Sequence, residues 1–83
     1  MSKINVYAIF DGFEDKLYQF ASPETVLAKD AVNAFIEEQA KVLTLTDEMS
    51  KTVQTNISAT SSIEELTAAL FVYDLQFSMI QVG

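Results

Sequence analysis

The sequence predicts a small α+β domain, with an N-terminal β-hairpin and a C-terminal strand packed against two helices, at about residues 23–43 and about 62–70. Three observations predict this class. The first residues are β-branched and aromatic and end at an Asp-Gly pair, two later segments carry helix-start signals, and the last residues alternate between apolar and polar side chains. The chain is expected to form one domain, residues 1–83.

The hairpin is predicted from the residues around Asp11-Gly12. Residues 4–10 have strand propensity, and an Asp-Gly pair between apolar residues is a strong turn signal, because glycine adopts positive φ at low cost. Residues 16–20 are the expected returning strand. A helix is the alternative interpretation, because apolar residues also fall on spacings of three and four, at Val6, Phe10, Phe13, Leu17 and Phe20.

Two segments carry helix-start signals. Ser22-Pro23-Glu24 combines a serine N-cap, a proline at the first helical position and an acid near the positive end of the helix dipole. Ser62-Ile63-Glu64-Glu65 is a Ser-x-x-Glu capping box, which predicts the shorter helix. Between them, residues 44–60 are compatible either with a short helix capped at Thr46 or with a strand at residues 51–58.

The C-terminal segment has two interpretations. As a strand, Phe71, Tyr73, Leu75, Phe77 and Met79 alternate with more polar residues. As a helix, the apolar residues form a stripe at Ile63, Leu66, Leu70, Tyr73, Phe77 and Ile80. The lack of glycine or proline between Glu24 and Val82 favours the helix, but propensity favours the strand, and a hairpin needs a third strand or a covering helix to be stable. The strand is preferred, and an all-α helical assembly element is the alternative.

In the helical interpretation the C-terminal segment has a family resemblance. Ile63-Glu64-Glu65-Leu66 through Leu75-Gln76-Phe77 to Val82 resembles, by heptad spacing, the inner-rod proteins of type III secretion systems. Those proteins are short and helical and assemble through a C-terminal helix. The resemblance implies an alternative function, a self-assembling structural subunit of a rod, filament or virion.

Residue usage excludes several classes of function. The chain has twelve acids, five lysines and no arginine, histidine or cysteine, and its net charge is −7. Nucleophilic triads and imidazole or thiolate metal sites are therefore excluded, so we expect no enzymatic activity, no cofactor and no metal. Direct binding to nucleic acid or to an anionic membrane is disfavoured by the same charge. With no long apolar run and no secretory leader, the expected location is the cytoplasm, that of the host cell if the chain is phage-encoded.

The charge favours a protein partner with a basic surface. Acids spread over a surface keep a protein soluble, but they can also mimic nucleic acid and occupy a basic groove. The specific hypothesis is a phage or mobile-element inhibitor of a host nucleic-acid-binding effector, of the anti-CRISPR type, acting by electrostatic occlusion. Self-association into a homo-oligomer is the other expectation. The candidate contact residues are Asp11, Glu14, Asp15, Glu37, Glu38, Asp47, Glu48, Tyr18 and Tyr73.

Overall fold

The computed structural model describes residues 3–40, 42–43 and 45–83. The elements, in chain order, are β1 (Ile4–Asp11), β2 (Lys16–Pro23), α1 (Ala28–Gln39), α2 (Asp47–Ser58), α3 (Ile63–Phe71) and β3 (Leu75–Val82). The strands form one antiparallel sheet in the order β2-β1-β3, so the C-terminal strand lies beside the first strand. The predicted α+β class, with a hairpin and a C-terminal strand, is confirmed, and the all-α alternative is wrong.

The core lies between one face of the sheet and the helices. Tyr7 and Ile9 of the central strand β1 are fully buried, whereas the residues between and beside them are half-buried or exposed. Aromatic rings link the sheet to α1: Tyr7 stacks on Phe20 with ring centroids 5.1 Å apart, and Phe20 stacks on Phe35 at 4.7 Å. The fold is therefore a two-layer arrangement, with helices on one side of the sheet.

The first helix begins later than predicted. Ser22 and Pro23 are the last residues of β2, and α1 begins at Ala28 after a turn. Proline is tolerated at this position because β2 is an edge strand and the residue stands at its end. The serine–proline pair is therefore a strand end, and the helix follows Leu27, which provides no side-chain cap. α1 also ends at Gln39, earlier than the predicted residue 43.

Residues 47–58, which the sequence left open between helix and strand, form α2. Thr46 caps this helix, because its Oγ1 accepts a hydrogen bond from the Met49 backbone N–H at 3.1 Å. α1 and α2 are antiparallel: Lys29, near the start of α1, donates from Nζ to the carbonyls of Ser58 and Thr60 at the end of α2, both at 3.2 Å. Lys29 thus partners carbonyls that a helix end leaves unpaired.

α3 and β3 are joined by a tight reversal. α3 begins after Ser62, as predicted, and the Ser62 Oγ accepts from the Glu65 backbone N–H at 3.1 Å. It ends at Phe71, and the chain turns into β3 through Asp74, at φ 60°. Aspartate tolerates this left-handed conformation better than most residues, so the turn forms without glycine. The strand is confirmed from Leu75, and the helical stripe through residues 75–82, with the inner-rod resemblance that depends on it, is wrong.

The predicted hairpin is present, but its turn differs from the prediction. Residues 12–15 connect the strands, and positive φ occurs at Asp15 (53°) and not at Gly12. Gly12 instead permits a close approach between the hairpin loop and Asp74. Its backbone N–H donates to the Asp74 carbonyl at 2.9 Å, and a Cβ atom on Gly12 would lie 2.5 Å from the Asp74 carboxylate oxygens. The hairpin loop and the α3–β3 turn are therefore fitted to each other.

Candidate protein-interaction surfaces

Three connections of the fold meet at one end of the molecule, which we call the loop end. They are the β1–β2 hairpin loop, residues 42–43 and 45–46 between α1 and α2, and the α3–β3 turn. Together with the first turn of α2 they enclose a groove of about 380 Å³. The apolar lining of the groove includes Phe13, Leu43, Leu45, Met49, Val72 and Leu75.

Some of these apolar side chains are strongly exposed. Phe13 at the hairpin tip is 80% exposed, Val72 is 78% exposed and Met49 is 42% exposed. Such side chains contribute little to the core, and apolar residues exposed together mark interaction sites. Phenylalanine and methionine are also enriched at protein interfaces. The groove is therefore a candidate binding site for an apolar side chain of a partner.

Exposed carboxylates stand next in sequence to several lining residues of this groove. Glu14 and Asp15 follow the exposed phenylalanine, Asp47 and Glu48 precede the exposed methionine, and Asp74 lies between two lining residues of the α3–β3 turn. All five side chains are exposed. Within residues 3–40, 42–43 and 45–83, none of them is in an ion pair. We call the apolar lining of the groove its floor, and these exposed carboxylates, on the segments that carry the lining, its rim.

Glu37 and Glu38 add to the same end of the molecule. They lie exposed in the last turn of α1, which the antiparallel helix pair places beside the first turn of α2. Acids at a helix C-terminus face the negative end of the dipole and destabilise the helix, whereas Asp47 and Glu48 stabilise the start of α2. Helix stability therefore accounts for Asp47 and Glu48 but not for Glu37 and Glu38.

Asp11, also a candidate contact, has a different environment. It is only 3% exposed, and its Oδ1 accepts hydrogen bonds from the backbone N–H groups of Phe13 at 2.9 Å and Glu14 at 3.3 Å. This arrangement is an Asx turn, in which the side chain replaces a backbone carbonyl. Asp11 thus shapes the hairpin loop from inside and is the one acidic candidate that lines the groove, while the other six lie exposed on the elements that meet at the loop end.

The two tyrosine candidates lie in different places. Tyr73 lines the groove, and its hydroxyl oxygen accepts a hydrogen bond from Asn56 Nδ2 at 3.4 Å. Tyr18 lies on the helix-covered face of the sheet, edge-on to Phe35 at 5.5 Å, with Lys16 Nζ 5.1 Å from its ring centroid. Its buried hydroxyl has no hydrogen-bond partner among the described residues. The structure therefore brings Tyr73, but not Tyr18, into the groove.

The sheet face turned away from the helices, which we call the open sheet face, is a second candidate surface. It has four cross-strand rows: Pro23–Ile4–Val82, Ala21–Val6–Ile80, Gln19–Ala8–Ser78 and Leu17–Phe10–Gln76. None of these residues is charged. Ile80 is 64% exposed and Leu17 is 55% exposed. In a chain with a net charge of −7, an exposed face without charge is a distinct feature.

Comparison with known proteins gives no family. The chain matches no protein-family model, and neither a curated protein nor a solved structure matches it. Across the part of the chain that the structure describes, no three acidic, histidine or cysteine side chains are grouped as metal ligands would be. The helices there are too short or too polar to cross a membrane.

Sequence reasoning missed the apolar part of both surfaces. A signal for Phe13 was present, because a phenylalanine inside a short turn between two strands cannot reach the core. A signal for the open sheet face was present too, because Ile4, Val6, Ile80 and Val82 are apolar at outward positions, where a sheet covered on one side normally has polar residues. Val72 had no such signal, since its exposure depends on where α3 ends.

Proposed function

We propose that the protein is a non-enzymatic binding protein whose loop end engages a basic surface of a protein partner. The observation that carries the proposal is an apolar groove of about 380 Å³ with exposed carboxylates on the segments that line it. Charge complementarity selects the occupant. It is a lysine- and arginine-rich segment of the partner that also carries an apolar side chain.

The rim and the floor of the groove contribute in different ways. Exposed carboxylates steer a basic partner and raise its association rate, but each exposed charge contact contributes only about 0–1 kcal/mol. The floor supplies more affinity, because burying a leucine or phenylalanine side chain contributes about 1.5–3 kcal/mol. A partner therefore needs both features in order to bind tightly and quickly.

The finer form of the proposal is inhibition. If the basic surface is the site where a host effector holds nucleic acid, the loop end excludes the nucleic acid by occupying that site. This is the action expected of a phage or mobile-element inhibitor of the anti-CRISPR type in the host cytoplasm. Its support is the concentration of Glu14, Asp15, Glu37, Glu38, Asp47 and Glu48 at one end, since a compact negative surface resembles a run of phosphates.

The test uses two synthetic peptides of equal positive charge. One carries a central leucine among lysines and arginines, and the other has serine in its place. Titration calorimetry with the full chain is expected to show tighter binding of the leucine peptide, and both affinities should fall as salt rises. Phe13→Ser should abolish the difference between the peptides, because it removes an apolar wall of the groove. Equal binding of both peptides by the unmodified chain contradicts the proposed groove.

Two matched double variants separate the site from net charge. Glu14→Gln with Glu48→Gln removes two charges from the loop end, and Glu24→Gln with Glu64→Gln removes two from the opposite end. The loop-end pair is expected to weaken binding of the leucine peptide about tenfold, as for two contacts of about 0.7 kcal/mol each. The opposite-end pair should change it by less than about twofold. Equal weakening by both pairs would refute a localised site.

The inhibitor proposal is tested by competition. Target DNA is titrated onto a purified CRISPR effector complex with and without the protein, and bound DNA is measured by gel shift. The unmodified protein is expected to reduce DNA binding by the effector, and the double variant Glu14→Gln with Glu48→Gln is expected to reduce it less. Unchanged DNA binding, in the presence of a demonstrated complex between the two proteins, rejects occlusion for that effector.

A further inference from the structure

We infer that a second copy of this chain covers the open sheet face, forming a reversible two-fold dimer whose loop ends point in opposite directions. This inference concerns a surface separate from the groove. It does not depend on which partner the loop end binds.

The absence of charge on the open sheet face suits contact between identical copies. Two molecules with a net charge of −7 repel each other, so they can associate only through a region that brings no carboxylates together. The twelve side chains of the four rows meet this condition. A basic partner would find no carboxylate there, whereas an identical apolar face is self-complementary in a two-fold contact.

The size of the face predicts a weak dimer. Three strands of eight residues give a face of about 26 Å by 14 Å, from spacings of about 3.3 Å along a strand and about 4.8 Å between strands. The overlap of two such faces buries at most roughly 700 Å² in total, which is below the roughly 1,200 Å² or more of stable protein interfaces. The dimer should therefore dissociate on dilution.

The distribution of apolar residues sets the orientation. The rows Pro23–Ile4–Val82 and Ala21–Val6–Ile80 are apolar and lie away from the loop end, whereas glutamine and serine interrupt the two rows closer to it. A two-fold axis along the Ala21–Val6–Ile80 row places that apolar row against itself in the other copy, and places each Pro23–Ile4–Val82 row against the other copy's Gln19–Ala8–Ser78 row. It also sends the loop ends outward, which separates their carboxylates. The two sheets pack face to face, as in a β-sandwich.

The dimer would carry two binding grooves at opposite ends. A partner with two basic segments at a matching distance, or a partner that is itself multimeric, would then be held at both ends. Such a complex is tighter than either contact alone, because the second contact forms within an existing complex.

Sedimentation velocity over a wide concentration range tests the association. The full chain is expected to shift from monomer to dimer as its concentration rises. Ile80→Lys places a charge on the face and should remove the dimer, whereas Ala34→Lys makes the same charge change at an exposed position of α1 and should leave it. A monomer at every concentration, or dimerisation that survives Ile80→Lys, overturns the inference.

Cross-linking tests the orientation. Because the chain has no native cysteine, only the introduced cysteine can react. In the proposed dimer, Ala21 faces Ala21 of the other copy, so Ala21→Cys should be joined by a short bismaleimide, while Ala34→Cys should not. Loop ends pointing in one direction would place position 21 opposite position 80 and leave Ala21→Cys unlinked, which overturns the orientation. Ile80→Lys should still bind the leucine peptide, so failure of the dimer and failure of the groove are distinguishable.

Discussion

At the residue scale, the contact between Gly12 and Asp74 fixes the geometry of the loop end. The Gly12 backbone N–H donates to the Asp74 carbonyl, and the Asp74 carboxylate occupies the space that a Gly12 side chain would need. Asp11 and Asp74 thus hold the hairpin loop and the α3–β3 turn in shape, one through an Asx turn and one through a left-handed backbone. The groove depends on both.

This contact predicts a coupled pair of substitutions. Gly12→Ala should lower the free energy of unfolding by about 1–3 kcal/mol, because the new methyl group collides with the Asp74 carboxylate. Asp74→Gly removes that carboxylate and keeps a residue that tolerates positive φ, so the double variant should recover most of the loss. Urea denaturation of the four proteins measures the coupling.

The control for this cycle is Asp74→Asn, which has nearly the same volume as aspartate. Combined with Gly12→Ala, it should give no recovery, because the collision is steric. Additive effects of Gly12→Ala and Asp74→Gly would contradict the close approach.

At the element scale, the helices of the loop end carry charges with opposite consequences for stability. Asp47 and Glu48 lie in the first turn of α2 and favour it, whereas Glu37 and Glu38 lie in the last turn of α1 and oppose it. No basic side chain stands in the last turn of α1 to compensate. Because Glu37 and Glu38 destabilise α1, a role in binding would explain their presence better than helix stability does.

The two acidic pairs therefore give opposite predictions. Glu37→Gln with Glu38→Gln should raise the free energy of unfolding by about 0.3–1 kcal/mol at low salt, and Asp47→Asn with Glu48→Gln should lower it by a similar amount. Both variants change the net charge equally, so the difference isolates the helix dipole from general repulsion. Thermal denaturation at low and high salt checks this. Equal stabilisation by both would mean that only net charge matters.

At the scale of the whole molecule, the loop end and the open sheet face are chemically opposite surfaces. The loop end concentrates carboxylates around exposed Phe13 and Val72, and the open sheet face has no charge. The open sheet face is the side of the sheet that the helices leave uncovered, and the loop end lies beyond one end of its rows. We propose that the first surface binds a basic partner and that the second binds another copy of the chain.

These surfaces predict opposite salt responses. Raising the salt concentration should weaken binding of the leucine peptide, because it screens attraction. The same change should leave dimerisation equal or stronger, because it screens the repulsion between two molecules of net charge −7. Calorimetry and sedimentation in one salt series measure both. If dimerisation weakened with salt in parallel with peptide binding, the dimer contact would be electrostatic and not the open sheet face.

The sequence predicted those elements whose signals are local. Strand propensity before Asp11-Gly12 and the capping box at Ser62 each act within a few positions, and their elements formed as predicted. The alternation predicted from Phe71 became a strand only from Leu75, and α2 formed in a segment that the sequence left open between helix and strand. The start of α1 was wrong, because Ser22-Pro23 suits a strand end as well as a helix start, and pairing with β1 decided between them. The turn at Asp74 was likewise not predicted, because an aspartate and not a glycine adopts the positive φ there.

Composition and local pattern by themselves determined the negative charge and the absence of histidine and cysteine, and they favoured the α+β class over the all-α alternative, because these properties depend on residue types and near neighbours. Only the tertiary structure decided which side chains act together. Six acidic candidates lie exposed on the elements that meet at the loop end, Asp11 is buried in its own turn there and lines the groove, and apolar residues of three strands meet on one uncovered face. These sets are distant in sequence, so strand pairing and helix packing had to define them.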